Sequence, residues 1–430
     1  MTSSRQLLDK NGIISPSAIT LAVIMLAFVV PSSQSAHAQT LTVLHSFSGD
    51  PDGAGPFAGV TLDSAGSLYG TTYAGGTRNQ GTIYQLKHSG STYTYNILYN
   101  FLSAGDGGLP EASVVFAPGG ALYGTTIQGG YDGCSSMGHT GCGVVFSVRP
   151  QSTFCRTVFC YWLETPAYAF HGGDNGDGAF PLYGKLAFDQ AGNIYGTTWF
   201  GGAYGGGTLY ELSRSNGTWT ETILHNFGAS GDGSEPLHNV ILDSAGNLYG
   251  TTQSGGVSGG GTVFQLVPSG SGWTENIIAN FSLNSPLGGA PQAGLTIDQA
   301  GNLYGATGIG SGSAGTAFEL SPSGSGWQMT LLHQFPGGNQ YGVVGNMVLD
   351  SQGDLFGTTF GGGPYLAGTI FKLTPSGSGW TYTDLYDFTN GDDGAAPTGD
   401  SSMDAQGNLY GTCQDSGALG QGVAWKFSPQ

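Results

Sequence analysis

Leu248-Tyr249-Gly250-Thr251-Thr252 is one copy of a motif that decides the fold, because it returns seven times along the chain. The copies begin their Tyr-Gly-Thr-Thr element at Tyr69, Tyr123, Tyr195, Tyr249, Tyr304, Phe356 and Tyr410, with Ala306 and Cys413 as the departures among the threonines. The intervals are 54, 72, 54, 55, 52 and 54 residues, so one unit is copied and one copy carries an insertion. Short strands repeating near this period predict a radial array of four-stranded blades. Working outward from Tyr249, Val240-Ile241-Leu242-Asp243 reads as strand A, followed by a Gly- and Asn-containing turn and then the motif as strand B. Gly261 to Leu266 reads as strand C, and Trp273 to Phe281 as strand D, both alternating small or β-branched residues with aromatics. Leu41 to Phe47 matches the strand D pattern, whereas Val423 to Ser428 is a strand C with none after it. The expectation is an all-β, seven-bladed propeller over residues 39–430, closed by the N-terminal strand completing the last blade. The glycine inside strand B marks a close approach, expected between neighbouring blades with the adjacent Tyr covering the bare backbone.

The segment before the repeats has a different character. Arg5 and Lys10 precede an apolar run from Ala18 to Val30, and Ala36-His37-Ala38 supplies a small-x-small cleavage pattern. Residues 1–38 therefore read as a secretory signal peptide, and nothing after them is long and apolar enough to span a bilayer. An exported monomer, extracellular or periplasmic, is expected. Ten Lys plus Arg against 28 Asp plus Glu give a net charge of −18, which excludes nucleic acid and anionic membrane surfaces as partners. Four cysteines fall in the long interval, where the insertion occupies roughly 129–160. Export permits disulfides, and each of the pairs Cys134–Cys142 and Cys155–Cys160 spans one local insertion, among three pairings open to four cysteines. Their spacings do not match paired zinc knuckles. Cys413, standing in for a motif threonine, reads as an inert buried thiol.

The string Asp-x-x-Gly-Asn-Leu-Tyr-Gly-Thr-Thr, followed by Gly-Gly, Gly-Thr-Val-Phe-x-Leu and Pro-Ser-Gly-Ser-Gly-Trp, resembles the GloVer tandem repeat of exported bacterial proteins. The resemblance covers residues 41–430 and implies an extracellular repeat protein of a family often seen with C-terminal anchors. It supplies no catalytic residues. The turn also resembles the sialidase Asp box, a structural element. Arg78, Arg149, Arg156 and Arg214 are too dispersed to form a sialidase arginine cluster.

Binding chemistry is expected on the face formed by the variable B–C and D–A loops. Four residues before the Asp that ends strand A (Ala117 in the second copy) stand Gly59, Ser113, Lys185, Asn239, Gly294, Asn346 and Asp400, a position the repeat does not hold constant. Lys185, Asn239, Asn346 and Asp400, with the neighbouring Glu111, Tyr183 and His238, are the ligand-binding candidates at the channel mouth; a water-filled funnel is the competing reading. Trp199 in the third B–C loop suits stacking against a sugar. Asp174 and Asp177 lie in the segment most like a calcium loop, with solvated turn carboxylates as the plainer reading, and no other cofactor is expected. His45, His225 and His333 alternate with Tyr at one strand D position, as a packing slot with a polar tip does. These features predict a non-catalytic binding or scaffold propeller recognising carbohydrate or an extracellular protein. The alternative is a polysaccharide lyase or glycoside hydrolase in the central funnel, with Lys185 or His238 as base and Glu111 or Asp400 as acid.

Overall fold

The computed structural model describes residues 39–429 apart from 104, 132–133, 137–138, 152–161, 173–175, 271, 310–313, 325, 337–341 and 378. Among the described residues every regular element is a strand, and seven four-stranded antiparallel sheets succeed one another as propeller blades. The fourth blade shows the plan. Strand A is Ile241–Leu242, B is Leu248–Thr252, C is Thr262–Ser269 and D is Gly272–Asn280, paired in the order A-B-C-D. The seventh blade has A at Ser402–Met403, B at Leu409–Cys413 and C at Val423–Ser428. Its strand D is Thr40–Ser46, pairing antiparallel with strand C from Thr40 opposite Ser428 to Ser46 opposite Val423. The chain ends thus meet in one sheet, and the N-terminal strand supplies the fourth strand that the seventh blade needs.

Each residue of the motif has a separate task. The aspartate ending strand A closes the A–B turn: Asp243 accepts hydrogen bonds from the backbone N–H groups of Ala245 and Asn247, the Asn247 amide and the Tyr249 hydroxyl. Burial opposes its ionisation, but these donors outweigh it and hold the carboxyl below the usual range. Gly246 takes a φ of 82°, where a side chain would be strained. The motif tyrosine packs into the following blade, as Tyr195 does against Val240, Leu248 and Phe264, and meets that blade's strand D tryptophan, as Tyr249 meets Trp327 at 6.0 Å. The first threonine bonds to the next blade, Thr251 donating to the Ala293 carbonyl, and the second bonds within its own, Thr252 to Thr262 at 2.9 Å.

The motif glycine differs from the sequence expectation. Its bare backbone is covered by the strand C aromatic directly across the ladder in the same blade, not by the adjacent tyrosine. Gly250 pairs with Phe264, and a Cβ on Gly250 would lie 2.5 Å from Phe264 Cζ; on Gly411 it would lie 2.3 Å from Trp425 Cζ2. The adjacent tyrosine points to the other face because side chains alternate along a strand.

Cys134 and Cys142 form a disulfide, as expected, with Cα atoms 5.0 Å apart. Cys142 is fully buried between the second and third blades, where its carbonyl accepts the Phe180 N–H. Cys413 is a free buried thiol, its pKa pushed up by burial. Cys155, Cys160, Asp174 and residues 1–38, expected to be a signal peptide, lie outside the described residues.

Candidate functional site

Two rings of side chains line the axis, and they have different roles. The first stands six residues before the strand A aspartate, or Ala117 in the second blade: Phe57, Glu111, Tyr183, Leu237, Gln292, Val344 and Thr398, one from each blade. All seven line a cavity of about 500 Å³ at the loop face, joined by residues that follow strand B directly, including Ile127, Trp199, Phe360 and Gln414. The second ring is the one singled out in the sequence. It closes the channel. Asn346 donates from its side-chain amide to Asn239 Oδ1 at 2.7 Å, and its backbone N–H donates to Asp400 Oδ1 at 2.8 Å. Lys185 reaches Asp400 Oδ2 at 3.6 Å from the third blade to the seventh.

The glycines of this ring permit the closure. A Cβ on Gly294 would lie 2.0 Å from Asn239 Oδ1, and one on Gly59 would lie 2.0 Å from the Asp400 carbonyl oxygen. Lys185, Asn346 and Asp400 line a second, more open cavity of about 670 Å³, which reaches the A–B turns through Asp298 and Asp350 and so opens on the opposite face. The eight sequence candidates therefore divide. Glu111, Tyr183, His238 and Trp199 share the loop-face funnel, whereas Lys185, Asn239, Asn346 and Asp400 bond to one another in a plug beneath it, with Asn346 Oδ1 left without a partner among the described residues.

The funnel combines ring faces with unspent hydrogen-bonding atoms. Trp199 stacks on Phe200 at 4.2 Å between ring centres, and Tyr183 stacks on His238 at 5.6 Å. Trp199 Nε1, His238 Nε2 and Gln414 Oε1 are buried and have no hydrogen-bond partner among the described residues. His238 is 5% exposed, and burial holds its pKa down to about 4 against the opposing influence of Asp400, so the ring is neutral at pH 7. Burial pushes Glu111 up to about 7 and, with Glu111 nearby, raises Tyr183 far above the ordinary tyrosine range. Sequence reasoning missed Phe57, Phe180, Phe360 and Gln414. The available signal was the repeat itself, since the positions six before the aspartate and directly after strand B both vary from blade to blade.

The acidic D–A loops are mostly committed to structure. Asp52 accepts from His45 Nε2 at 3.1 Å and the Ser48 N–H, while Asp106 accepts from the Tyr99 hydroxyl and the Leu102 N–H. Asp177 accepts from the Tyr168 hydroxyl and the backbone N–H groups of His171 and Gly178. His225 carries two carboxylates, Asp232 at 3.0 Å and Glu275 of the next blade at 3.5 Å. Burial works against the charge on His225, yet these two partners raise its pKa. His333 instead stacks on Tyr382 at 4.2 Å. The histidine slot is a packing position whose polar tip meets a loop carboxylate or a neighbouring ring.

A repeat propeller with one axial funnel is the class that this geometry defines. Residues 32–170, 134–339 and 308–430 match the Gloeobacter/Verrucomicrobia repeat. The chain belongs to that family, the GloVer resemblance being confirmed across the repeats. A search of curated proteins returns no match. Among solved structures, the chain is similar to a Bacteroides uniformis protein provisionally described as a 6-phosphogluconolactonase. That match has 14% identity and a TM-score of 0.51, and covers 81% of this chain and 88% of the other. A Thermus thermophilus protein provisionally described as an oxidoreductase of glucose dehydrogenase type gives 15% identity and a TM-score of 0.41, covering 74% and 96% of the two chains. A Dyadobacter fermentans protein of unknown function gives 12% identity and 0.44, covering 80% and 96%. At 14% identity the first of these likenesses speaks to fold alone.

Proposed function

We propose that the protein is an exported binding propeller that holds a neutral carbohydrate in the loop-face funnel. The observation that carries this reading is the coincidence, in one cavity, of aromatic faces with three buried polar atoms lacking partners. A buried donor or acceptor left unmade is costly, and a ligand that completes those bonds recovers the loss. Sugars present apolar C–H faces to aromatic rings while their hydroxyls both donate and accept. They suit an indole N–H donor beside an amide oxygen acceptor. A neutral His238 serves as acceptor or donor according to its tautomer. The test is calorimetric titration with neutral plant and bacterial oligosaccharides, compared between wild type, Trp199→Phe and Gln414→Ala. Saturable binding weakened by both substitutions supports the reading; binding that ignores them, or no binding across the panel, removes it.

A second reading rests on Glu111, whose proton is exchanged near pH 7 inside the same cavity, as a general acid requires. Lys185 and Asp400 are paired in the plug and do not face that cavity, so a hydrolase or lyase would depend on Glu111 with His238. Reducing ends or unsaturated sugar products, formed by wild type and not by Glu111→Gln, would replace the binding reading with this one. The calcium reading centred on Asp177 stands as a proposal for which an equilibrium titration with Ca²⁺ is the test.

A further inference from the structure

The loop face carries a crown of exposed apolar tips. Tyr131, Tyr204, Val257, Ile309, Leu366 and Leu419 project from the B–C loops of the second to seventh blades, and each is between 43% and 77% exposed. Leu102, Leu283 and Leu287 add to the same face from the D–A loops. Among the described residues only Leu163 and Leu331 are comparably large and exposed elsewhere, apart from Tyr365 beside Leu366. Solvent-exposed apolar side chains gathered on one end, while the opposite turns are built mainly of Ser, Gly, Asn, Asp, Gln and Ala, mark a surface that something covers. Leu366 even holds a φ of 57°, a conformation that favours glycine, so the tip is not there for backbone reasons.

Charge narrows what covers it. The same face presents exposed Asp50, Asp392 and Asp415, and Arg78 in the first B–C loop is its only described cation. Lys87, Arg149, Arg214, Lys372 and Lys426 lie on strand C, and Lys185 lies in the plug. We propose that the loop face docks a basic amphipathic protein segment, whose apolar side chains meet the crown and whose Lys or Arg side chains meet the acidic loops. A second copy would bring like charge against like, and an anionic lipid surface would be repelled. This inference does not depend on the funnel being a sugar site.

The experiment uses the full exported chain and an amphipathic Leu/Lys peptide, with a Leu/Glu peptide, a Ser/Lys peptide and phosphatidylcholine vesicles as comparisons. Fluorescence anisotropy is expected to show saturable, salt-sensitive binding of the Leu/Lys peptide only. Replacing Tyr204, Val257, Leu366 and Leu419 together by Ser should weaken that binding by about tenfold or more, while circular dichroism and thermal midpoint stay unchanged because all four side chains are exposed. Trp199→Phe in the funnel should leave peptide binding intact, which separates this surface from the sugar site. Equal binding by the fourfold variant, equal binding of the Ser/Lys or Leu/Glu peptide, preferential binding to vesicles, or concentration-dependent self-association lost in the variant would each overturn the proposal. So would the absence of saturable Leu/Lys binding.

Discussion

Substituting Gly250 by Ala tests whether the repeat glycine exists to seat an aromatic ring. The new Cβ would stand 2.5 Å from Phe264 Cζ and 3.2 Å from Val240 Cγ1, where ordinary carbon contacts begin near 3.5 Å. Phe264 is fully buried and packed on Phe227 at 5.0 Å between ring centres, so the required shift of about 1 Å propagates into the neighbouring blade. Overpacking of this kind costs about 1–3 kcal/mol. The backbone at Gly250 is not left-handed, so no conformational strain is added. Phe264→Leu alone costs roughly 1–2 kcal/mol through lost contacts. In the double variant the shorter leucine vacates the space that the methyl enters, and the penalties should fall short of additive by at least about 1 kcal/mol. Urea denaturation of the four proteins, read by intrinsic fluorescence, provides the cycle. Additivity within about 0.5 kcal/mol would refute the reasoning, because glycine would then be required for something other than the ring.

Other consequences can be checked alongside it. Reduction of Cys134–Cys142, or replacement of both by Ala, removes about 2–3 kcal/mol at most; the circular dichroism spectrum should persist, while ligand affinity falls because the bridge fixes the segment whose Cys142 carbonyl accepts the Phe180 N–H at the funnel wall. Lys185→Ala should destabilise the protein by about 1–3 kcal/mol, since it strands the buried Asp400 carboxylate, and adding Asp400→Asn should restore part of that loss. The folded-state pKa of Glu111 is raised to about 7, so the native state holds a proton that the unfolded state has released. Glu111 therefore lowers stability as pH rises from about 4.5 to about 7, and Glu111→Gln should flatten that part of the thermal-midpoint profile. His238 acts in the opposite direction: with its folded pKa lowered to about 4, stability declines as pH falls from about 6.5 toward 4, and His238→Asn should reduce that decline.

The blade plan was legible because a strand-level instruction copied seven times separates signal from accident. Asp243, Gly246, Tyr249 and Thr252 each do a job that recurs, and the strand D pattern of Leu41 to Phe47 disclosed the closure. The glycine was misassigned because sequence shows spacing along the chain but not which residue lies across the ladder. The site was legible only in part, for a similar reason. Variation from repeat to repeat correctly marked the axis, yet it could not separate a ring that faces a cavity from one whose members bond to each other. Asn239 and Asn346 are 107 residues apart, and their hydrogen bond arises only when the fourth and sixth blades meet over Gly294.

The most direct test of the central claim, that the loop-face funnel is a ligand site, is a tryptophan-quenching titration of the protein with the neutral oligosaccharides that calorimetry selects. Wild type should show saturable quenching with a fitted affinity that falls by about tenfold, roughly 1.4 kcal/mol, in Gln414→Ala, and Trp199→Phe should lose the signal. Quenching of equal size and affinity in the Trp199→Phe protein would contradict the account, because the ligand would then be bound somewhere other than the funnel.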